Sequence, residues 1–447
     1  MKIFGYKHAL YTSAALLAFL ALSPNPGMSA EADRLDEFQR IIEQQQRMIE
    51  AQAKTLESLN KQIEDIRAAT RSNAEAVAKS EQAVKQVVRK AEAAATPPKT
   101  VTSGSDKVRL VISGQINRGV MVVGDGDSSQ IHHVDNDTSS TRFRFVGTGK
   151  PNEDITIGTR MEMQLEVNSS ANVVQGADTQ TGGTTFSTRY ADLSVESKKL
   201  GKLYLGQGDT ASNTMAEQDL SGTDLIVYSD FGMYGSLLFK NSAGGASSGV
   251  SVANALSNFD GESRKSRIRY DTPRFAGFQG RIGHMAGDKS DFAVHFSGAF
   301  GDTKLAAMVG YVSDGSASAT VDSKYGGSAS VLFGNGISLT GLYTGQDFRA
   351  SGRGDANTLS GSVAYGKIGY RAKLLDIGET RFAVEAGETE DLAQDGDEAF
   401  IWGAGLVQGI DDWGAEGFLG FRVHDLDRAG LSTDDLIVGM TGLRVKF

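Results

Sequence analysis

From residue 107 to residue 447 apolar and polar side chains alternate in short runs, whereas before residue 96 they recur at longer intervals. The clearest alternating run is 154–168. Ile155, Ile157, Met161, Met163, Leu165 and Val167 fall on one side of it, and Thr156, Arg160, Glu162, Gln164 and Glu166 on the other. Successive side chains of a strand point to opposite faces, so this period of two predicts a strand with one apolar and one polar face. A half-buried strand of a water-soluble sheet also alternates, but about fifteen residues is long for one. The length suits a tilted strand with lipid outside and water inside. Similar stretches follow from 108–122 to 437–447, separated by connectors rich in Gly, Asp and Ser. At about 20 residues per strand and connector, the segment 107–447 makes roughly 16 to 18 strands, and about 16 antiparallel strands is the expectation. A bilayer offers no water to unpaired strand edges, so such a sheet must close into a transmembrane barrel. Barrels of this size enclose an aqueous channel.

The segment 31–95 has a different period. Its a positions are Leu35, Ile42, Ile49, Leu56, Ile63, Thr70, Val77, Val84 and Ala91; its d positions are Phe38, Gln45, Gln52, Leu59, Ile66, Asn73, Ser80 and Val87. A repeat of 3.5 residues predicts an α-helical, left-handed coiled coil, roughly 85 Å long. The polar layers at Gln45, Gln52, Thr70, Asn73 and Ser80 cost stability and fix register, and Ile-rich a positions favour three strands over a simple dimer. A long solvated single helix is the other reading. Pro97 and Pro98 end the helix. Residues 96–106 then read as a linker between coiled coil and barrel.

The first thirty residues are an address. Lys2 and Lys7 precede an apolar stretch over 9–22, too short to span a bilayer, and small residues at Gly27, Ser29 and Ala30 follow Pro24 and Pro26. This pattern predicts a signal peptide over 1–30, with an uncleaved anchor as the alternative.

Composition narrows the class. The chain has 54 Gly, 6 Pro, no Cys, 40% hydrophobic residues and a net charge of −10. Without Cys there are no thiolate nucleophiles or Cys-based metal sites, as suits a protein exported through oxidising space. The acidic balance gives no reason to expect nucleic acid as a partner. Neither Asp125-Gly126-Asp127 nor Asp395-Gly396-Asp397 continues into a calcium loop, and His132 and His133 read as residues of a polar loop. No nucleophile elbow or phosphate loop stands out. No catalytic residue, cofactor or metal is expected.

Two segments resemble Gram-negative trimeric porins. One is Arg267-Ile268-Arg269-Tyr270-Asp271-Thr272-Pro273-Arg274-Phe275-Ala276-Gly277-Phe278, similar to that family's strand–turn–strand signature. The other is Gly201-Lys202-Leu203-Tyr204-Leu205-Gly206-Gln207-Gly208, similar to the strand that leads into its inward-folded loop. The terminal Phe447, preceded by Val445 and Leu443, is similar to the signal read by the barrel-assembly machinery. The order of coiled coil and barrel resembles the DcaP-like porins. The resemblance implies an outer-membrane homotrimer with its coiled coil in the periplasm, embedded in outer-membrane lipid and passing small hydrophilic solutes by diffusion. It also implies a constriction where the inward loop, near 209–234, faces the wall. Asp209, Glu217, Asp219, Asp224 and Asp230 make that loop acidic. Arg142 and Arg144, and Lys265, Arg267 and Arg269, alternate on wall strands, with Arg160 and Arg281 as further candidates. Such a basic wall implies a preference for anions such as carboxylates; neutralisation by Glu162 and Glu166 is the opposing reading. The competing function is structural, with the coiled coil tethering the outer membrane to peptidoglycan and the barrel as its anchor.

Overall fold

The computed structural model describes residues 100–102, 107–176, 182–316, 319–349 and 360–447, with scattered positions between 43 and 64. The chain divides into two units at Glu75. In the first, the described positions between Glu43 and Glu64 are helical and exposed, and Arg47 approaches Glu43 one turn away at 4.0 Å. The signal peptide and the apolar seam of the coiled coil lie outside the described residues.

The second unit is a closed, antiparallel barrel of 16 strands. The strands are β1 (Val108–Gly124), β2 in two pieces (Ser129–Asp135 and Arg142–Gly149), β3 (Ile155–Val167), β4 (Thr184–Ser197), β5 (Gly201–Asp209), β6 (Arg264–Asp271), β7 (Phe278–Met285) and β8 (Lys289–Phe300). They continue as β9 (Thr303–Asp314), β10 (Val321–Leu332), β11 (Ile337–Phe348), β12 (Ser360–Leu375), β13 (Gly378–Glu390), β14 (Glu398–Ile410), β15 (Ala415–Asp427) and β16 (Leu436–Lys446). Each pairs with its neighbours in chain order. Both pieces of β2 pair with β1, along its two halves. Within the expected linker, Thr100–Thr102 forms a short strand against residues 109–111.

The alternation in sequence becomes the two faces of the wall. In β3, Ile157, Met161 and Leu165 are 41–50% exposed on the outside, while Glu162 and Glu166 are 0% and 4% exposed on the inside. An outward apolar band of this kind suits the bilayer interior. Closure is local to the last residues. Lys446 stands opposite Gln115, and the backbones of Gly114 and Phe447 exchange two hydrogen bonds at 2.8 and 3.0 Å. A Cβ at Gly114 would lie 2.7 Å from the Phe447 ring, so glycine leaves room for the terminal aromatic.

The apolar core lies inside the barrel, where the segment between β5 and β6 folds inward. Its Leu225, Ile226, Val227, Phe231, Met233, Tyr234 and Leu237 are buried against Ile401, Phe418, Leu436 and Val438 of the wall. Those inward apolar positions explain why the alternation fades in parts of β14 to β16. They face a packed loop instead of water.

Candidate pore constriction

One side of the interior, from β2 to β6, is lined by arginines. Arg142 and Arg144 point inward from β2 because they alternate with Phe143 and Phe145. Both bind Glu162 of β3, Arg142 at 3.5 Å and Arg144 more tightly. Arg189 of β4 binds the same carboxylate at 2.7 Å and donates to Gln164 at 2.8 Å. Asp192 of β4 accepts from Arg160 at 3.2 Å and from Arg267 at 2.7 Å. Arg269 makes a two-pronged pair with Asp271, at 2.7 and 2.8 Å.

Two tyrosines support this array. The Arg160 guanidinium lies 3.4 Å above the ring of Tyr190, and Arg264 lies 5.8 Å from it. Arg267 and Arg269 each stand 5.3 Å from the ring of Tyr204. A cation over an aromatic face is held by the ring quadrupole, which fixes the guanidinium planes along the wall. The guanidinium groups of this network outnumber the carboxylates Glu162, Asp192 and Asp271 that bind them.

The same arginines fix the foot of the inward loop, residues 210–263. Arg267 donates to the Asp209 carbonyl at 2.9 Å and Arg269 to the Thr210 carbonyl at 2.9 Å. Ser212 donates to Asp291 of β8 through its amide and its hydroxyl, at 2.6 and 2.8 Å. The loop then follows the wall, with Gln218 and Leu220 donating to Ser328 and Ser330 of β10. At its far point the Leu225 carbonyl accepts from Asn136, in the break of β2, at 2.7 Å. The return limb is held by Arg422 of β15, which donates to the carbonyls of Tyr228 and Asp230 at 2.6 and 3.0 Å. The loop thus lies along the interior of β8 to β16; on the arginine side Arg144 and Arg160 stay partly exposed, while Arg267 and Arg269, bonded to the loop's foot, are buried.

The inward loop is longer than the expected 209–234. Its second half contains a small hairpin, Leu238–Lys240 with Ser247–Ser251, and a short helix, Val252–Ala255. It also turns its acids differently from the expected apposition to the basic wall. Asp219 pairs with Lys367 of β12 at 2.6 Å; burial opposes ionisation there, yet Lys367 holds the carboxyl below the usual range. Glu217 accepts from Tyr228 at 3.1 Å and Asn258 at 3.4 Å inside the loop, where burial and then Asp260 and Asp230 push its carboxyl well above the usual range. Asp230 accepts from the Gly232 amide at 2.9 Å, and burial raises it to about 6. Asp224 is half-buried and receives no hydrogen bond among the described residues. Asp209 does sit beside the arginines, accepting from Tyr190 at 2.7 Å and Asn213 at 3.1 Å. The physical reason is local: buried carboxylates need donors, and the loop's own turns and Lys367 are nearer than the arginine wall.

Of the basic candidates, Arg142, Arg144, Arg160, Arg267 and Arg269 come together. Lys265 projects toward solvent near Glu262, at 3.9 Å, and Arg281 stands on β7 directly opposite Asp271, the partner of Arg269, donating to Gln279 at 3.3 Å. Sequence reasoning missed Arg189, Arg264, Tyr190, Tyr204 and Asp192. Arg189 escapes a period-two reading because it is the extra residue of a β-bulge. Glu162 faces Tyr190 while Met163 faces Thr188, so Arg189 has no partner of its own and turns inward beside Tyr190. The broken alternation around Arg189-Tyr190-Ala191-Asp192 is the available signal.

A closed barrel with an apolar outer band, a charged interior and an inward loop defines a membrane channel of the porin type. The sequence profile described as Gram-negative porin matches residues 91–412, and the chain belongs to that family. No curated protein sequence matches it. Among solved structures it is similar to an anion-selective porin from Comamonas acidovorans, at 16% identity and TM-score 0.53, covering 76% of this chain and 100% of that one. A loop-deletion mutant of OmpT, an outer-membrane protein of Vibrio cholerae, aligns at 14% identity and TM-score 0.50, covering 76% and 100%. The outer-membrane channel DcaP of Acinetobacter baumannii aligns at 11% identity and TM-score 0.49, covering 77% and 99%. At these identities the likeness is one of fold.

Proposed function

We propose that this outer-membrane porin passes small hydrophilic solutes by diffusion and prefers anions, carboxylates among them. The supporting observation is the arginine wall from β2 to β6, whose guanidinium groups exceed the carboxylates bonded to them while Glu217, Asp219 and Asp230 of the loop are bound elsewhere. Charges in a narrow, low-dielectric-walled lumen are poorly screened, so an excess of one sign raises the local concentration of the other. Arg is suited to the task because its planar fork matches a carboxylate in two-pronged fashion. The chain's overall negative charge does not oppose this, because selectivity is set at the narrowest point. The protein acts in this reading as a homotrimer embedded in outer-membrane lipid, with Phe447 as its assembly signal and no catalytic step.

Swelling of proteoliposomes tests the preference. A small dicarboxylate is expected to enter faster than a neutral polyol of the same size, and a diamine slowest. Equal rates for the dicarboxylate and the diamine would contradict it.

A further inference from the structure

The break in β2 brings two acids together. Asn136 caps a single 3-10 turn, Asp137–Ser139, by accepting from the Thr138 amide. The turn packs on the chain just past β3, its Asp137 amide donating to Ser170 at 3.1 Å and its carboxyl accepting from Ser169, and this sets the Asp137 carboxyl beside that of Glu166, near the end of β3. Glu166 is 4% exposed. Its Oε2 accepts from Gln164 at 2.8 Å. Its Oε1 is fully buried and receives no donor among the described residues. Asp137 accepts from Ser169 at 3.0 Å.

The charged groups facing the pair come from four elements. Arg189 stands on β4, Arg264 on β6, Asp135 on β2 and Asp230 on the inward loop. No cation is bonded directly to either carboxyl among the described residues. Arg189 is committed to Glu162 and Gln164, and Arg118 approaches Asp135 instead. Two ionised carboxylates in contact in a buried site repel each other, and the orphan oxygen would go unpaired. A single shared proton removes both penalties, because it turns one acceptor into a donor.

We propose that Asp137 and Glu166 hold one proton between them and are selectivity-determining residues, since losing that proton adds a negative charge beside the arginine wall. The inference deepens the anion-preferring reading and rests on the same wall. With the proton in place the pair carries one negative charge and the arginine excess is larger. Without it the pair carries two, and Arg189 and Arg264 are the nearest cations to be offset. Anion preference therefore falls as pH rises.

Reversal potentials of the full chain in planar bilayers, across a salt gradient and between about pH 5 and pH 9, test this. The wild-type anion-to-cation permeability ratio is expected to drop several-fold as pH rises. E166Q and D137N are each expected to remove that step and to hold the low-pH ratio throughout, because the amide donates to the remaining carboxylate as the shared proton does. Two separate variants guard against misfolding of either one. A wild-type ratio that does not change with pH overturns the proposal, as does a step of the same size and position in the variants. A channel that is cation-selective yet shows the step in wild type and loses it in both variants supports the shared proton while rejecting the anion-preferring reading.

Discussion

Glu162 holds three guanidinium groups, those of Arg142, Arg144 and Arg189, with its own side chain wholly out of solvent. That arrangement ties selectivity to stability at one residue. Removing one partner of a buried ion pair costs about 3–5 kcal/mol, and Arg144 keeps part of its hydration, so E162Q is expected at or below that range. The same change frees cationic charge. E162Q is therefore expected to lower the unfolding temperature and raise the anion preference, measured by gel heat-modifiability and by reversal potential. A variant that loses stability without gaining anion preference would mean that Glu162 only holds the wall together. Arg189→Ala is expected to act in the opposite sense on selectivity. At this scale Arg142, Arg144 and Arg160 were legible in the sequence because their strands keep period two. Arg189 was not, because a bulge adds one residue and moves the face.

Among elements, the inward loop is the one whose behaviour depends most on pH. Burial raises the carboxyls of Glu217, Asp230 and Asp260, with Asp230 at about 6. A carboxyl whose folded value lies above its unfolded one contributes stability that is complete at low pH and is lost as pH rises through the folded value. The packed loop is thus expected to loosen as pH climbs past about 6. Backbone amides of 226–237 should exchange hydrogen faster at pH 8 than at pH 5, after correction for intrinsic rates, and D230N should reduce the difference. Faster exchange at the lower pH would reverse the sign and refute it. Steric fit holds the loop as well. A Cβ on Gly405 would lie 2.7 Å from Ile226, and one on Gly420 2.5 Å. Gly405→Val is expected to displace the return limb and change single-channel conductance. The sequence marked where this loop begins, after the strand 201–208, because the porin-like segment ends there. Its extent to residue 263 and the direction of its acids were not legible. They depend on which donors lie nearest in space, such as Lys367, nearly 150 positions along the chain from Asp219.

In the whole molecule the barrel follows from the alternating pattern more directly than any other feature. Most wall strands carry it, and the terminal strand closes on β1 as the apolar spacing of Leu443, Val445 and Phe447 implies. The strands 142–149, 184–197 and 278–285 are weaker in pattern because glycines, a bulge or alternating arginines interrupt it. One outward residue bears on assembly. Arg118 lies midway along β1 on the outer face, between exposed Ile116 and Val120, and approaches Asp135 at 3.7 Å. A guanidinium at bilayer mid-depth costs about 2–4 kcal/mol against lipid. In the proposed homotrimer this face would meet another subunit, so R118E is expected to weaken the oligomer on a native gel and R118Q less so. Deleting residues 31–95 is expected to leave conductance intact, because the barrel closes without them. Loss of conductance would favour the tethering role.

In the proposed channel the excess of guanidinium groups at the constriction, not the overall negative charge of the chain, decides which ions pass. Its most direct test is the zero-current potential of the purified full chain in a planar bilayer, with potassium chloride more concentrated on one side. The expected sign is the one set by chloride permeating faster than potassium, with the ratio reduced by Arg189→Ala. A potential of the opposite sign in the unaltered protein would contradict it.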